Sequence, residues 1–194
     1  MNSEFGLPRT AIVTGGARRI GAALVRALAA DGWHVAIHCN TSRDEADALC
    51  AELRAAGQGA HVIVADLADA GSAAQIVAQA QVDAPPLGML VNNASRFDYD
   101  TISDFDVSGW DRHLDVNLRA PALLTQAFSA ALPDGLSGLI VNLLDVKLYA
   151  LNPDYFSYTI SKFGLLGLTE LSARALAPRI AVRRSKSRRA GASA

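Results

Sequence analysis

The sequence predicts an α/β domain: a doubly wound, mostly parallel sheet with helices on both faces. Three observations predict it. Short apolar runs alternate with amphipathic stretches along the chain. The runs are nearly continuous in apolar residues, as in strands buried on both faces, and do not alternate apolar with polar. A glycine-rich turn, TGGARRIG, joins the first run to the first amphipathic stretch, the place where such a fold aims helix amides at a ligand.

Each element has its own justification. RTAIVTGG (9–16) is a β-branched apolar run ending in glycines, and RIGAALVRALAADG (19–32) has helical spacing with a stop at Gly32. WHVAIHC (33–39) is a second strand. SRDEADALCAELRAAG (42–57) is an amphipathic helix with Ser42 as N-cap and Gly57 as stop. AHVIVAD (60–66) is a third strand, AGSAAQIVAQAQV (70–82) a third helix and LGMLVNNA (87–94) a fourth strand. Residues 104–132 read as one or two helices, SGLIVNLLD (137–145) as a fifth strand and 155–176 as a long helix.

Composition bounds the function. The chain has 194 residues, 51% hydrophobic and 19% charged, which suits one globular domain and excludes a disordered chain. No apolar run approaches the length of a membrane span, and the N-terminus shows no cationic start followed by an apolar stretch. Cys39 and Cys50 form no CxxC pair, so reduced thiols and a cytoplasmic location are expected. His34, His38, His61 and His113 show no metal-ligand spacing and read as surface or satisfied core residues, so no metal is expected. The net charge of −1 hides an asymmetry: six of the 18 basic residues follow Pro178, with no acid among them. The preceding 178 residues carry 12 basic and 19 acidic groups, a balance of −7.

The glycine turn suits a dinucleotide. Gly15 and Gly16 allow backbone to approach a pyrophosphate, and the helix beginning near Arg19, Ile20 and Gly21 presents its amides. A plain βα turn is the alternative. The end of the second strand selects between cofactors. A site for NAD places an acid there to accept from the ribose 2′-hydroxyl. Here IHCNTSR offers Asn40, Ser42 and Arg43, with Arg18 and Arg19 across the loop and no acid before Asp44. Cations suit a 2′-phosphate, so NADP(H) is expected over NAD(H). Asp66, with Leu67 beside it, is placed to meet the adenine ring.

With TGGARRIG at 14–21, NNAS at 92–95, DVN at 115–117 and YxxxK at Tyr158 and Lys162, in order from about residue 9 to 182, the chain resembles the short-chain dehydrogenase/reductase family, whose Rossmann fold binds NAD(P). A narrower resemblance is to pteridine reductases. Most short-chain reductases carry Gly at the Arg19 position and Ser at the Asp145 position; this chain has Arg and Asp, as pteridine reductases do. NNASRF also places Phe97 where that subfamily stacks an aromatic ring on the pterin, and Tyr155 matches as well.

The resemblance implies roles. The reaction would be hydride transfer to a C=N or C=O carbon. Tyr158 would be the general acid, with Lys162 one helical turn along favouring the phenolate and holding the ribose. Asn117 would orient a water that relays protons to Lys162. Asn93, Ala94 and Ser95 would line the cofactor; Arg19, Ser95, Phe97, Asp145, Tyr155 and Tyr158 would line the substrate. A carboxylate at Asp145 accepts hydrogen bonds and does not donate them. It makes sense if the substrate offers N–H donors, or if the carboxyl is protonated and passes a proton to a ring nitrogen. A pterin meets both conditions.

The pattern stops after APRIAV (177–182). Relatives of this type continue with a sixth strand reading IRVNxIxPG, a substrate-covering segment and a seventh strand; this chain continues RRSKSRRAGASA. The expectation is therefore a single domain over 1–182 with incomplete C-terminal strands, a disordered basic tail over 183–194, a raw sheet edge, and apolar surface uncovered near Leu165 to Leu176. The tail reads as a reading-frame change or an artificial terminus, the alternative being a basic segment for nucleic acid or anionic lipid. The leading reading is a reductase with a small-molecule substrate, no nucleic-acid or membrane partner, and homo-oligomerisation if the C-terminus were complete. Its rivals are a reductase of an unrelated carbonyl compound and a catalytically impaired nucleotide-binding fragment.

Overall fold

A computed structural model describes residues 9–187. Six parallel strands run in the order β3-β2-β1-β4-β5-β6: β1 Thr10–Val13, β2 His34–Cys39, β3 Ala60–Val64, β4 Leu87–Asn92, β5 Gly138–Asp145 and β6 Ile180–Ser187. The helices are α1 Arg19–Ala30, α2 Arg43–Ala55, α3 Ser72–Gln79, α4 Val107–Leu114, α5 Ala120–Ala131 and α6 Phe156–Leu176. The order reverses between β1 and β4, so the carboxyl ends of those two strands frame a crevice.

Two apolar layers flank the sheet. On one face Val13, Val35 and Ile37 pack with Val25 of α1 and Leu49 and Leu53 of α2. On the other, Ile12, Leu90 and Ile140 pack with Ile76 of α3 and Leu124 and Phe128 of α5. Continuous apolar strands are required because both faces are covered. A buried polar ladder ties the centre together: Asn92 Nδ2 donates to Asn142 Oδ1 (2.8 Å), and Asn142 Nδ2 donates to Thr169 Oγ1 of α6 (2.9 Å).

Three departures from the sequence-based expectation matter. The stretch 104–132 is two helices joined by a π-turn, Asp115–Arg119, which holds the DVN motif. Ser42 stands at the N-cap of α2, but its side chain makes no capping hydrogen bond. The sixth strand does not stop at Val182: β6 pairs with β5 residue for residue from Gly138↔Ile180 to Asp145↔Ser187, five residues into the basic segment. Backbone hydrogen bonds drive that pairing, and they do not require apolar side chains. Of the raw edge expected where strands six and seven belong, β6 fills the first place, and β6 is the terminal strand among the described residues. Of the helix expected to lie bare, Leu165 is buried and Leu171 is exposed. Residues 188–194 of the expected tail lie outside the described residues.

Candidate active site

The first half of the site is a backbone cradle after β1. Gly15 adopts a positive φ of +61°, open to glycine without strain. A Cβ on Gly21 would fall on the Gly15 carbonyl oxygen and lie 2.8 Å from Asn93 Nδ2. The loop is pinned from the ends of two neighbouring strands, β4 and β2. Asn93 Nδ2 donates to the carbonyls of Thr14 (2.8 Å) and Gly15 (3.0 Å), while Thr14 Oγ1 accepts from the amides of Asn93 and Ala94 (3.0 Å each). His38 joins from β2: its Nδ1 accepts from the Gly15 amide (3.3 Å), so Nε2 carries the proton donated to the Ala65 carbonyl (3.1 Å). Burial drives the His38 pKa down to about 4, against the opposing pull of the Ala65 carbonyl and Asp66. Sequence reading placed His38 among surface or core residues; nothing in its spacing signals a role in shaping the phosphate turn.

The cradle fits the pyrophosphate of a dinucleotide. The Arg18 side chain does not cap α1, so that helix start keeps amides for an anion. The ring of cations expected around a 2′-phosphate is partly engaged: Arg18 pairs with Glu45, and Arg43 with Asp47 (3.3 Å). Arg19 has a left-handed backbone, φ 51°, and makes no ion pair among the described residues. Asn40, Arg43 and Asp66 are exposed, and Asp66 Oδ1 accepts from the Ala68 amide (2.9 Å). Ile20 is exposed and Leu67 buried.

The second half lies at the carboxyl ends of β4 and β5. Tyr158, Lys162 and Asn117 are buried at 4%, 3% and 0% exposure. Tyr158 Oη donates to Asp145 Oδ2 (2.7 Å), and the other carboxylate oxygen accepts from the Lys147 amide (2.8 Å). Lys162 Nζ donates to the Leu143 carbonyl (3.0 Å). Burial lowers the Lys162 pKa to about 8, with Asp145 pulling the other way. Asn117 reaches the loop after β4: its Oδ1 accepts from the Arg96 amide (2.8 Å) and from Ser95 Oγ (3.3 Å). Its Nδ2 donates to the Arg96 carbonyl (3.0 Å) and to Ser161 Oγ (3.0 Å).

Aromatic rings wall this end. Phe97 stacks on Tyr155 (centroids 4.2 Å, 11° between planes) and meets Tyr158 edge-on (4.6 Å). Tyr155 opens α6 in the left-handed conformation, φ 59°, which turns its ring toward the loop. Lys147 Nζ lies 4.8 Å from the Tyr155 ring centre. The fold thus joins Asp145, Tyr158, Lys162, Phe97 and Tyr155 in one region. The expected cofactor residues are spread along the strand ends: Gly15 to Gly21 follow β1, Asn40 to Arg43 follow β2, Asp66 and Leu67 follow β3, and Asn93 to Ser95 follow β4. Sequence reading missed His38, His113, Asp100 and Ser157; the last three form a network beside Tyr158 in which His113 and Ser157 are buried and Asp100 is half-buried.

A nucleotide cradle at the switch point of a parallel sheet, with a tyrosine and lysine one turn apart at its rim, defines a class of nicotinamide-dependent oxidoreductases. The chain belongs to the short-chain dehydrogenase family: the family model described as short chain dehydrogenase matches residues 9–185. It is 37% identical over 173 residues to the short-chain dehydrogenase/reductase FrzI of a Cladobotryum species, a match covering 89% of this chain and 66% of that protein. The chain thus spans about two thirds of that relative's length. It is 30% identical over 171 residues to the 3-oxoacyl-[acyl-carrier-protein] reductase FabG of Staphylococcus epidermidis, covering 88% of this chain and 70% of that one. Among solved structures it resembles FolM alternative dihydrofolate reductase 1 from Brucella suis, in complex with NADP, at 44% identity and a TM-score of 0.87, over 91% of this chain and 73% of that chain.

Proposed function

We propose that the chain is an NADPH-dependent reductase that transfers a hydride to a C=N or C=O bond, with a pteridine as its substrate. The observation that carries the reading is the hydrogen bond from Tyr158 Oη to Asp145 Oδ2. A carboxylate touches the general acid where most of the family has a hydroxyl. An acceptor there suits a substrate edge bearing N–H donors and repels a developing oxyanion. The Phe97 and Tyr155 rings beside it suit a flat heteroaromatic ligand, and the likeness to a FolM alternative dihydrofolate reductase supports the same substrate class.

When bound, NADPH supplies the hydride. The glycine cradle would hold its pyrophosphate, and Arg19, with Arg18, Asn40, Ser42 and Arg43, its 2′-phosphate. Ala94, Ser95, Asp66 and Leu67 would line the remainder. Lys162 would hold the ribose and keep a positive charge beside the Tyr158 phenol. Tyr158 would give its proton to the substrate heteroatom, and Asp145 would align the phenol and accept from the substrate N–H groups. Asn117, through its bonds to Arg96 and Ser161, would keep the loop and α6 in register.

The test is steady-state reduction of a dihydropterin and of a quinone and diketone panel, with calorimetric titration of NADPH and NADH. Dihydropterin turnover with tighter binding of NADPH is expected. Turnover of carbonyl compounds with no pterin activity would transfer the assignment to a simple carbonyl reductase. Binding of neither nucleotide would overturn both.

A further inference from the structure

We propose that His113 is a positioning residue: it holds Phe97 in place by pinning the Asp98 amide to the start of the Tyr158 helix. The inference deepens the reading above, in which Phe97 meets the substrate and Tyr158 gives the proton.

Two parallel rungs cross between the chain around residues 113–117 and α6, and each grips one side of Phe97. In the first, Asn117 binds both the amide and the carbonyl of Arg96 and donates to Ser161. In the second, His113 Nε2 lies 3.1 Å from the Asp98 amide, and its Nδ1 lies 2.6 Å from Ser157 Oγ. His113 and Asn117 are four residues apart, as are Ser157 and Ser161, so both rungs repeat at one helical turn. Phe97 sits between the gripped residues, edge-on to Tyr158.

The second rung has a fixed direction. An amide can only donate, so the Asp98 N–H requires an unprotonated Nε2. The neutral ring therefore carries its proton on Nδ1 and donates to Ser157 Oγ. The Ser157 hydroxyl in turn donates to Asp100 Oδ2. Asp100 also receives the first free amides of α6: Ser157 N reaches Oδ1 (3.1 Å), and Phe156 N reaches the Asp100 carbonyl (3.2 Å). Those amides have no partner within the helix, and Tyr155 at the N-cap provides no side-chain cap. Asp98, Asp100 and Phe97 thus belong to a single loop, held to α6 directly at Asp100 and through the His113 imidazole at Asp98.

A second proton on His113 would set an Nε2–H against the Asp98 N–H and break the rung. The groups facing the ring are Asp98, Asp100 and Arg96 from the loop and Tyr158 from α6, whose ring centre is 6.3 Å away. Burial is the largest influence and lowers the His113 pKa below 6.5; Asp100, Asp98 and the Gly109 carbonyl oppose it, and Arg96 adds to it. The neutral, loop-holding form is therefore complete above the ordinary histidine value and is lost as pH falls through the lowered one.

The test compares wild type, His113→Phe and His113→Gln. Hydrogen exchange at the Asp98 amide and steady-state kinetics are followed between neutral and mildly acidic pH. In wild type, Asp98 protection falls and KM rises together on acidification, while kcat and NADPH affinity hold. His113→Phe raises KM about tenfold at all pH, the equivalent of one lost hydrogen bond, and abolishes the acid limb. His113→Gln, whose carbonyl can accept from Asp98, recovers most of the neutral-pH KM without regaining the limb. Asp98 protection unchanged in His113→Phe would overturn the inference, as would a wild-type KM in that variant. If wild type turns over no substrate, the substrate reading fails, and amide exchange still decides the role of His113.

Discussion

Replacing Asp145 with Asn separates charge from shape at the centre of the site. The carboxylate accepts from Tyr158 Oη at 2.7 Å and from the Lys147 amide at 2.8 Å. An Asn carbonyl can keep the second bond, which leaves its NH₂ facing Tyr158. The phenol must then accept from this side chain and can no longer donate to it. A charge-assisted bond of about 1.5–3 kcal/mol becomes a neutral one of about 1 kcal/mol, reversed in direction. Asp145 also supports the ammonium of Lys162 against desolvation, so its loss drives the Lys162 pKa further below about 8. The two effects together should cost about 1.5–3 kcal/mol in the proton-transfer step, a fall in kcat of roughly 10- to 100-fold. The assay is NADPH oxidation with a dihydropterin across the pH range. In wild type kcat/KM should decline above about pH 8 as Lys162 loses its proton; in Asp145→Asn the decline should begin at lower pH. Asp145→Ser should favour simple carbonyl substrates. Undiminished pterin turnover in Asp145→Asn, with the alkaline limb unmoved, would refute the reasoning.

Three further outcomes are expected. Lys162→Met should reduce turnover by about 10²–10⁴-fold while folding at least as stably, because it removes a buried charge. The folded lysine releases its proton at about 8 and the unfolded one near 10.5, so wild-type stability should gain on the variant between those pH values, measured by urea melts. Gly21→Ala should abolish nucleotide binding by calorimetry, because its Cβ falls on the Gly15 carbonyl. His38 stays neutral in the fold down to about pH 4 against 6.5 when unfolded. Its contribution of about 3 kcal/mol is complete above 6.5 and lost on acidification toward 4, so His38→Gln should flatten that part of the stability curve.

The central strands were legible because burial on both faces forces unbroken apolar runs such as AIV in β1 and GMLV in β4. The Tyr158–Lys162 pair was legible because one helical turn is a local spacing. The extent of β6 was not: Arg183 and Arg184 carry no strand signature, and their place is set by hydrogen bonds to β5. The grip on Phe97 was equally hidden. Asp98, His113 and Ser157 lie on a loop and two helices, and their meeting depends on tertiary packing. The left-handed backbone at Arg19 and Tyr155 gave no warning either, since neither residue favours that conformation.

The π-turn at Asp115–Arg119 has a consequence for how this segment tolerates change. A π-turn holds one residue more than the α-helix around it, so α4 and α5 run out of phase on either side. The widened turn absorbs that residue, so deleting a single residue within it would restore a regular helix and erase the bulge that seats the DVN motif. Deletion of Val116 would leave His113 and Asn117 three residues apart, and the two grips on the Phe97 loop would no longer keep the four-residue spacing of Ser157 and Ser161. Substitutions in this stretch act one side chain at a time. A change in its length acts on the whole reading frame of the helix surface, so insertions and deletions should be far less tolerated here than composition alone suggests.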